Sequence, residues 1–232
     1  MKKILLIAFL LPLLTFGQSI NFQNNKVEIT NIGKLNVDST IQTGTSANTY
    51  VTIDATNSLR MYGGSTTYDD LMFPFSTGHQ GNLNYPPFNK DSLYFSFGID
   101  SVGGDAQFMY FVIQLPHKWK EGSTIYPHVH YKYETGSGTP TFIMKYKWYN
   151  IGESTQVGWK WYRMGTTTGT TDKTHQLVKG TGGISGVGKT ISSILICKIY
   201  LESATGTPPV NAYQMDIHIE SDATGSKDEY IK

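Results

Sequence analysis

GGISGVGKTISSILICKIYL, residues 182–201, can be read in two ways, and the choice decides the fold. From Gly183 to Thr190 it matches the phosphate-binding string G-x-x-x-x-G-K-[ST]. Such a loop needs a buried parallel strand before the glycines and a helix beginning at Lys-Thr, whose first amides face the phosphates. The second half of the stretch argues against that helix. Ile191, Ile194, Ile196 and Ile199 are β-branched, and small or polar residues interleave with apolar ones, which is strand chemistry. The preceding HQLVKGTGG (175–183) is too short and polar for a central parallel strand, and no later apolar run ends in an Asp suited to magnesium. Glycine makes up so much of residues 182–188 that chance produces the string easily. The stretch predicts a glycine turn feeding a core strand from Ile191 to Leu201, and no nucleotide.

Outward from this strand the same pattern repeats. Short apolar or alternating runs at 93–99, 107–115, 125–134, 141–151, 157–164, 190–203 and 213–221 are separated by Gly, Asn, Asp and Pro, as in a sandwich or barrel. TGSGTP (135–140) and TGTPP (205–209) are breaker clusters with turn chemistry. The composition agrees: 24 Gly, 15 Tyr and 11 Phe favour strands and turns over helices. No stretch beyond Phe16 holds a helical period. The fold predicted is all-β, a jelly-roll-like antiparallel β-sandwich over residues 50–232. Residues 18–49 are polar with alternating β-branched positions, and they predict an extended β arm or stem that gains its core from neighbouring chains.

The first residues read as an export signal. Lys2 and Lys3 precede an apolar run from Ile4 to Phe16, and the small Gly17 marks the cut, so residues 1–17 are expected to be a secretory signal peptide. Losing two of 19 basic residues against 18 acidic ones shifts the net charge from +1 to −1. A chain so near neutrality has no electrostatic pull toward nucleic acid or an anionic membrane. The single cysteine, Cys197, makes no internal disulfide and lies in the apolar run 191–201, where a buried inert thiol is expected. Without disulfides, an exported chain must be held by its core or by copies of itself. A homotrimer is expected, because polar β stems close a core between several chains and closed symmetry protects strand edges.

Two side-chain sets offer chemistry. In EGSTIYPHVHYKYE (121–134), His128, His130 and Glu134 share one face of a strand and match the first half of the cupin metal motif after Gly122. The second half of that motif is missing, and His175 stands without its setting. The second set is Trp148, Trp159 and Trp161, on two runs expected to pair, as a platform for stacking sugars. Trp159 and Trp161 share a face; core or interface anchoring is the competing role. Adjacent carboxylates, Asp69-Asp70 and Asp228-Glu229, point to opposite faces of a strand. There is no G-x-S-x-G elbow, and no catalytic residue or cofactor is assigned. The sequence does not argue for an enzyme.

Five boxes occur in order: TYVTIDATNSLRMYGGSTTYDDLMFP (49–74), QLPHKWKEGSTIYPHVHYKY (114–133), YKWYNIGE (146–153), GKTISSILICKIY (188–200) and GSKDEYIK (225–232). Together they resemble a group of phage-encoded virion-associated proteins, and the resemblance spans residues 49–232. It implies a structural role at the virion surface, as a fibre, spike or head-decoration subunit contributing to architecture or to attachment to a host glycan. The expected partners are itself, other virion proteins and a host surface glycan. The resemblance also implies that the PHVH and GKTISS boxes are fold elements, with Glu134 outside the pattern. A signal peptide is unusual for such a group. The alternatives are a secreted carbohydrate-binding module and a cupin-like metal-dependent enzyme.

Overall fold

The computed structural model describes residues 27–29, 35–37, 41–46, 49–53, 59–80, 85–99, 107–136, 138–167, 173–205 and 209–228. The expected signal peptide lies outside these residues. All named strand pairs are antiparallel, and they build two large sheets packed face to face. The predicted β-sandwich is therefore the fold of the chain.

Seventeen strands are described, β1 to β17 in chain order. The five-stranded sheet runs β13 (Lys160–Met164), β12 (Pro140–Tyr149), β16 (Ile194–Ala204), β10 (Phe108–Gln114), β7 (His79–Gln80). The larger sheet runs β14 (Thr166–Thr167), β15 (Gln176–Lys179), β11 (Tyr126–Tyr133), β17 (Val210–Ser221), β9 (Tyr94–Phe97), β8 (Phe88–Asn89). On one edge of β17, β9 pairs with Val210–Ala212 and β6 (Thr67–Pro74) with Gln214–Ser221. All seven strand candidates are strands. The 190–203 run starts late: Ile191 and Ser192 form a turn, Ser192 has φ 59°, and the strand begins at Ile194.

Parity along each strand explains the packing. On β12, Phe142, Met144, Tyr146 and Trp148 point inward; on β16, Leu195, Cys197, Ile199 and Leu201 do the same. They meet Val129, Tyr131 and Tyr133 of β11 and Met215, Ile217 and Ile219 of β17 in one cluster. Aromatic edges cross between the sheets, with Phe97–Phe142 at 5.4 Å and Phe75–Phe111 at 5.5 Å between ring centroids. Aromatic rings bury large apolar areas, and edge contacts of this kind add about 0.5–1.5 kcal/mol each. Cys197 is fully buried in this core, which pushes its thiol up to about 12. Such a thiol is inert.

Before the sandwich, β1 (Val27–Ile29) pairs with β2 (Leu35–Val37), and β3 (Ile41–Ser46), β4 (Thr49–Ile53) and β5 (Leu59–Tyr62) form a three-stranded sheet. The backbone of β5 is tied to the end of the sandwich: Met61 N–H donates to Asp222 O, and Thr224 N–H donates to Leu59 O.

The glycine turn is built as a fold element. Ile184 exchanges backbone hydrogen bonds with Ile125, Lys189 Nζ pairs with Glu153 at 2.7 Å, and Thr190 N–H donates to Asn150 Oδ1. Ile191 N–H donates to Glu121 Oε1 at 2.8 Å. Lys189 and the Ile184, Thr190 and Ile191 amides are thus engaged within the chain. Gly186 presses its backbone against Ser123 and the Trp119 ring, leaving no room for a side chain.

Candidate functional site

The outward face of the larger sheet carries an unusual polar cluster. Val129, Tyr131 and Tyr133 of β11 point into the core, so His128, His130 and Lys132 point away from it. The neighbouring strand β17 puts Asp216 opposite His128 and Gln214 opposite His130. A register shift follows between His130 and Tyr131, leaving Tyr213 as the extra residue, and bulges of this kind often re-aim side chains beside functional sites. The His128 and His130 Nε2 atoms are 3.1 Å apart, and they lie 3.8 and 3.1 Å from Asp216 Oδ2.

A second layer holds this trio. His175, just before β15, places Nε2 2.7 Å from His130 Nδ1 and stacks on that ring at 4.9 Å. Gln214 Nε2 donates to Asp216 Oδ2 at 3.0 Å. His218 lies edge-on to His128 at 4.5 Å, and its Nε2 pairs with Asp70 Oδ1 on β6 at 2.9 Å. Four of the six histidines therefore meet on one face. Although they point outward, His128 and Asp216 are each only 4% exposed. Burial, followed by the charges of His218 and His130, holds the His128 imidazole below the ordinary histidine range, against the opposing pull of Asp216. The deeper oxygen of Asp216, Oδ1, is buried without a hydrogen-bond partner.

The sequence expectations are sorted by this geometry. His128 and His130 are brought together as predicted, but Glu134 is not the third ligand. Its carboxylate pairs with Lys132 at 2.9 Å and accepts from Asn211, and the Lys132 hydrogen bond holds it below the usual carboxylate range. The carboxylate beside the histidines is Asp216. Its signal in the sequence is the alternation of MDIHIE (215–220), which reads equally well as an ordinary solvent-facing strand side. Asp69 and Asp70 diverge as expected, Asp69 pairing with Lys118 and Asp70 with His218. At the far end of the same face, Tyr68, Tyr126, Lys120 and Glu220 line an open, mostly polar groove.

The tryptophans divide. Trp148 is a core residue, 7% exposed, with its indole N–H donating to Ser193 Oγ and its ring 5.6 Å from Trp119. It cannot form part of a sugar platform. Trp159 and Trp161 lie on the outward face of the five-stranded sheet, and Trp161 is 63% exposed. Lysines lie over their rings: Lys145 Nζ is 4.2 Å from the Trp161 centroid, and Lys147 is 5.3 Å from that of Trp159. Lys198 lies over both Phe108 and Trp159. Lys145 and Lys198 are direct cross-strand partners, an arrangement that like charges disfavour. Burial, and then the charge of Lys145, hold the Lys198 amine below the usual lysine range.

Comparison of the sequence with protein-family models and with curated proteins returns no match.

Proposed function

We propose that the chain is a structural subunit of a phage virion surface, such as a fibre, spike or head decoration. In this reading it associates as a homotrimer through its N-terminal β arm and meets an acidic host-surface glycan with the outward face of its five-stranded sheet. The observation that carries the reading is that face. Trp159, Trp161 and the half-buried Phe108 form an aromatic surface threaded by Lys145, Lys147 and Lys198, with the buried Tyr200 ring beneath Lys145. Aromatic planes stack on sugar rings, and two lysines forced opposite each other gain most from an anion between them. The strand order supports a jelly roll. Strands β9, β10, β11, β12, β13, β15, β16 and β17 divide into β9-β17-β11-β15 and β10-β16-β12-β13, two interleaved sheets wound as in viral capsid and lectin domains. The five sequence boxes point to the same class.

Export through the signal peptide would place the subunit outside the cytoplasm before it joins a particle. A secreted carbohydrate-binding module is the second reading, favoured by the exposure of Trp161. Mass photometry and a glycan array test the proposal together. Trimers that bind sialylated or uronate-containing glycans, with binding lost in Trp161→Ala, would support it; monomers alone would defeat the trimer. Silence across the array would defeat the glycan face.

A further inference from the structure

The polar cluster lies on the opposite face of the sandwich from the proposed glycan surface, and its geometry asks for a different ligand. A metal ion held tetrahedrally at about 2.0–2.1 Å keeps its ligand atoms about 3.3 Å apart. The three separations among His128 Nε2, His130 Nε2 and Asp216 Oδ2, at 3.1, 3.1 and 3.8 Å, bracket that value. A cluster of this kind could also be a closed set of hydrogen bonds, and a second observation distinguishes the two. Asp216 is 4% exposed, yet its Oδ1 is buried with no hydrogen-bond partner, and both imidazole Nε2 atoms face Oδ2 instead. Leaving a buried carboxylate oxygen bare is costly, and a cation removes that cost.

The surroundings are those of a metal ligand set. His130 turns Nε2 to the trio, while its Nδ1 is engaged by His175 Nε2 at 2.7 Å. The His128 ring is likewise held by a hydrogen bond with the Tyr126 backbone. Ligating histidines characteristically have the other ring nitrogen engaged, which fixes tautomer and orientation. Gln214 Nε2 donates to Asp216 Oδ2, the oxygen that faces the imidazoles, and so fixes the orientation of the carboxylate. We propose that His128, His130 and Asp216 bind one divalent transition-metal ion of the zinc class. Two imidazoles and one carboxylate suit zinc. Three protein donors leave the fourth position to water or to a donor from another molecule. Bound through Asp216 Oδ2, the ion fastens β11 to β17 beside the bulge and neutralises a buried carboxylate whose Oδ1 has no hydrogen-bond partner.

The test uses the full chain, stripped with EDTA, returned to metal-free buffer and titrated with zinc chloride by calorimetry, with cobalt(II) as an optical probe. The expected result is one ion per chain, the intense visible bands of tetrahedral cobalt, and a melting midpoint several degrees higher in excess zinc. Asp216→Asn and His130→Gln are each expected to weaken binding at least about 100-fold, and His175→Ala about 10- to 100-fold through the lost support of His130. His79→Gln, outside the cluster, leaves binding unchanged. Circular dichroism establishes that each variant is folded, and the wild-type cobalt spectrum stands even where one is not. Folded wild-type chain that takes up no stoichiometric zinc overturns the proposal. So does a folded Asp216→Asn variant that binds as tightly as the wild type.

Discussion

The two sheets share one core, but their outward faces break the usual rule of burial in opposite directions. On the larger sheet polar groups are hidden: His128 and Asp216 are each 4% exposed. On the five-stranded sheet a large apolar ring is displayed, with Trp161 63% exposed. Buried polar clusters and exposed aromatic patches are the deviations that carry information, because folding alone favours neither. The lesson is a division of labour. The core holds the sheets together, one face hides a cluster of histidines around Asp216, and the other displays aromatic rings among lysines, which is the surface proposed for contact with a glycan.

The largest break in this comparison lies beneath both faces. Phe142, fully buried and 5.4 Å from Phe97, joins the sheets, and Phe142→Ala is expected to cost about 3–5 kcal/mol. Denaturant titration measures the loss, and zinc uptake and glycan binding should fail together. If only one failed, the shared core would not be what supports both faces.

A smaller break tests the glycine turn. Gly186→Ala drives a Cβ into the Ser123 carbonyl and the Trp119 ring, with an expected cost of about 1–3 kcal/mol. Lys189→Ala removes only a surface pair with Glu153, and its effect on stability should be much smaller than that of Gly186→Ala. A nucleotide site would reverse that order of importance in a binding assay, with Lys189 mattering more.

The contact face should separate binding from stability. Trp161→Ala is expected to change stability by no more than about 0.5–1 kcal/mol, since its main loss is an exposed cation–π contact with Lys145. Chemical denaturation reads that term while the glycan array reads the loss of binding. A large drop in stability would return Trp161 to a structural role and dissolve the contrast between the faces.

The smallest effect is one of pH. The Lys189 hydrogen bond, then one from the Asn150 backbone, holds the exposed Glu153 carboxyl below its usual range. A carboxyl depressed in the folded state contributes stability above its unfolded pKa, and that contribution is lost as pH falls through the folded value. Glu153→Gln should therefore slightly lower the melting midpoint at neutral pH, and the difference from the wild type should vanish in acid, where the contribution is already lost. Equal midpoints at neutral pH would show that the pair contributes nothing.

Much of the fold was legible because strand parity is local. The alternation of Phe142, Met144, Tyr146 and Trp148 with Ile143, Lys145 and Lys147 marks both faces of β12. The same parity assigns Trp148 to the core, and only grouping it with the nearby tryptophans had made it a platform residue. Strand β6 was hidden because its aspartates look like a loop, although one edge of β17 pairs with it. The site was half legible. His128 and His130 are two residues apart and share a face on any strand. Asp216, His175 and His218 arrive from distant segments, and only the β11–β17 register with its bulge brings the aspartate opposite them. Glu134 was the nearest carboxylate in sequence, but Lys132 and Asn211 hold it.

The virion role depends most directly on where the protein resides. Quantitative mass spectrometry of purified phage particles from the source culture, set against the cleared supernatant, addresses that directly. A trimeric virion subunit should be found in the particles at a fixed copy number relative to the major capsid protein, in a multiple of three. Chain found only as free protein in the supernatant, with none in the particles, would contradict the virion role.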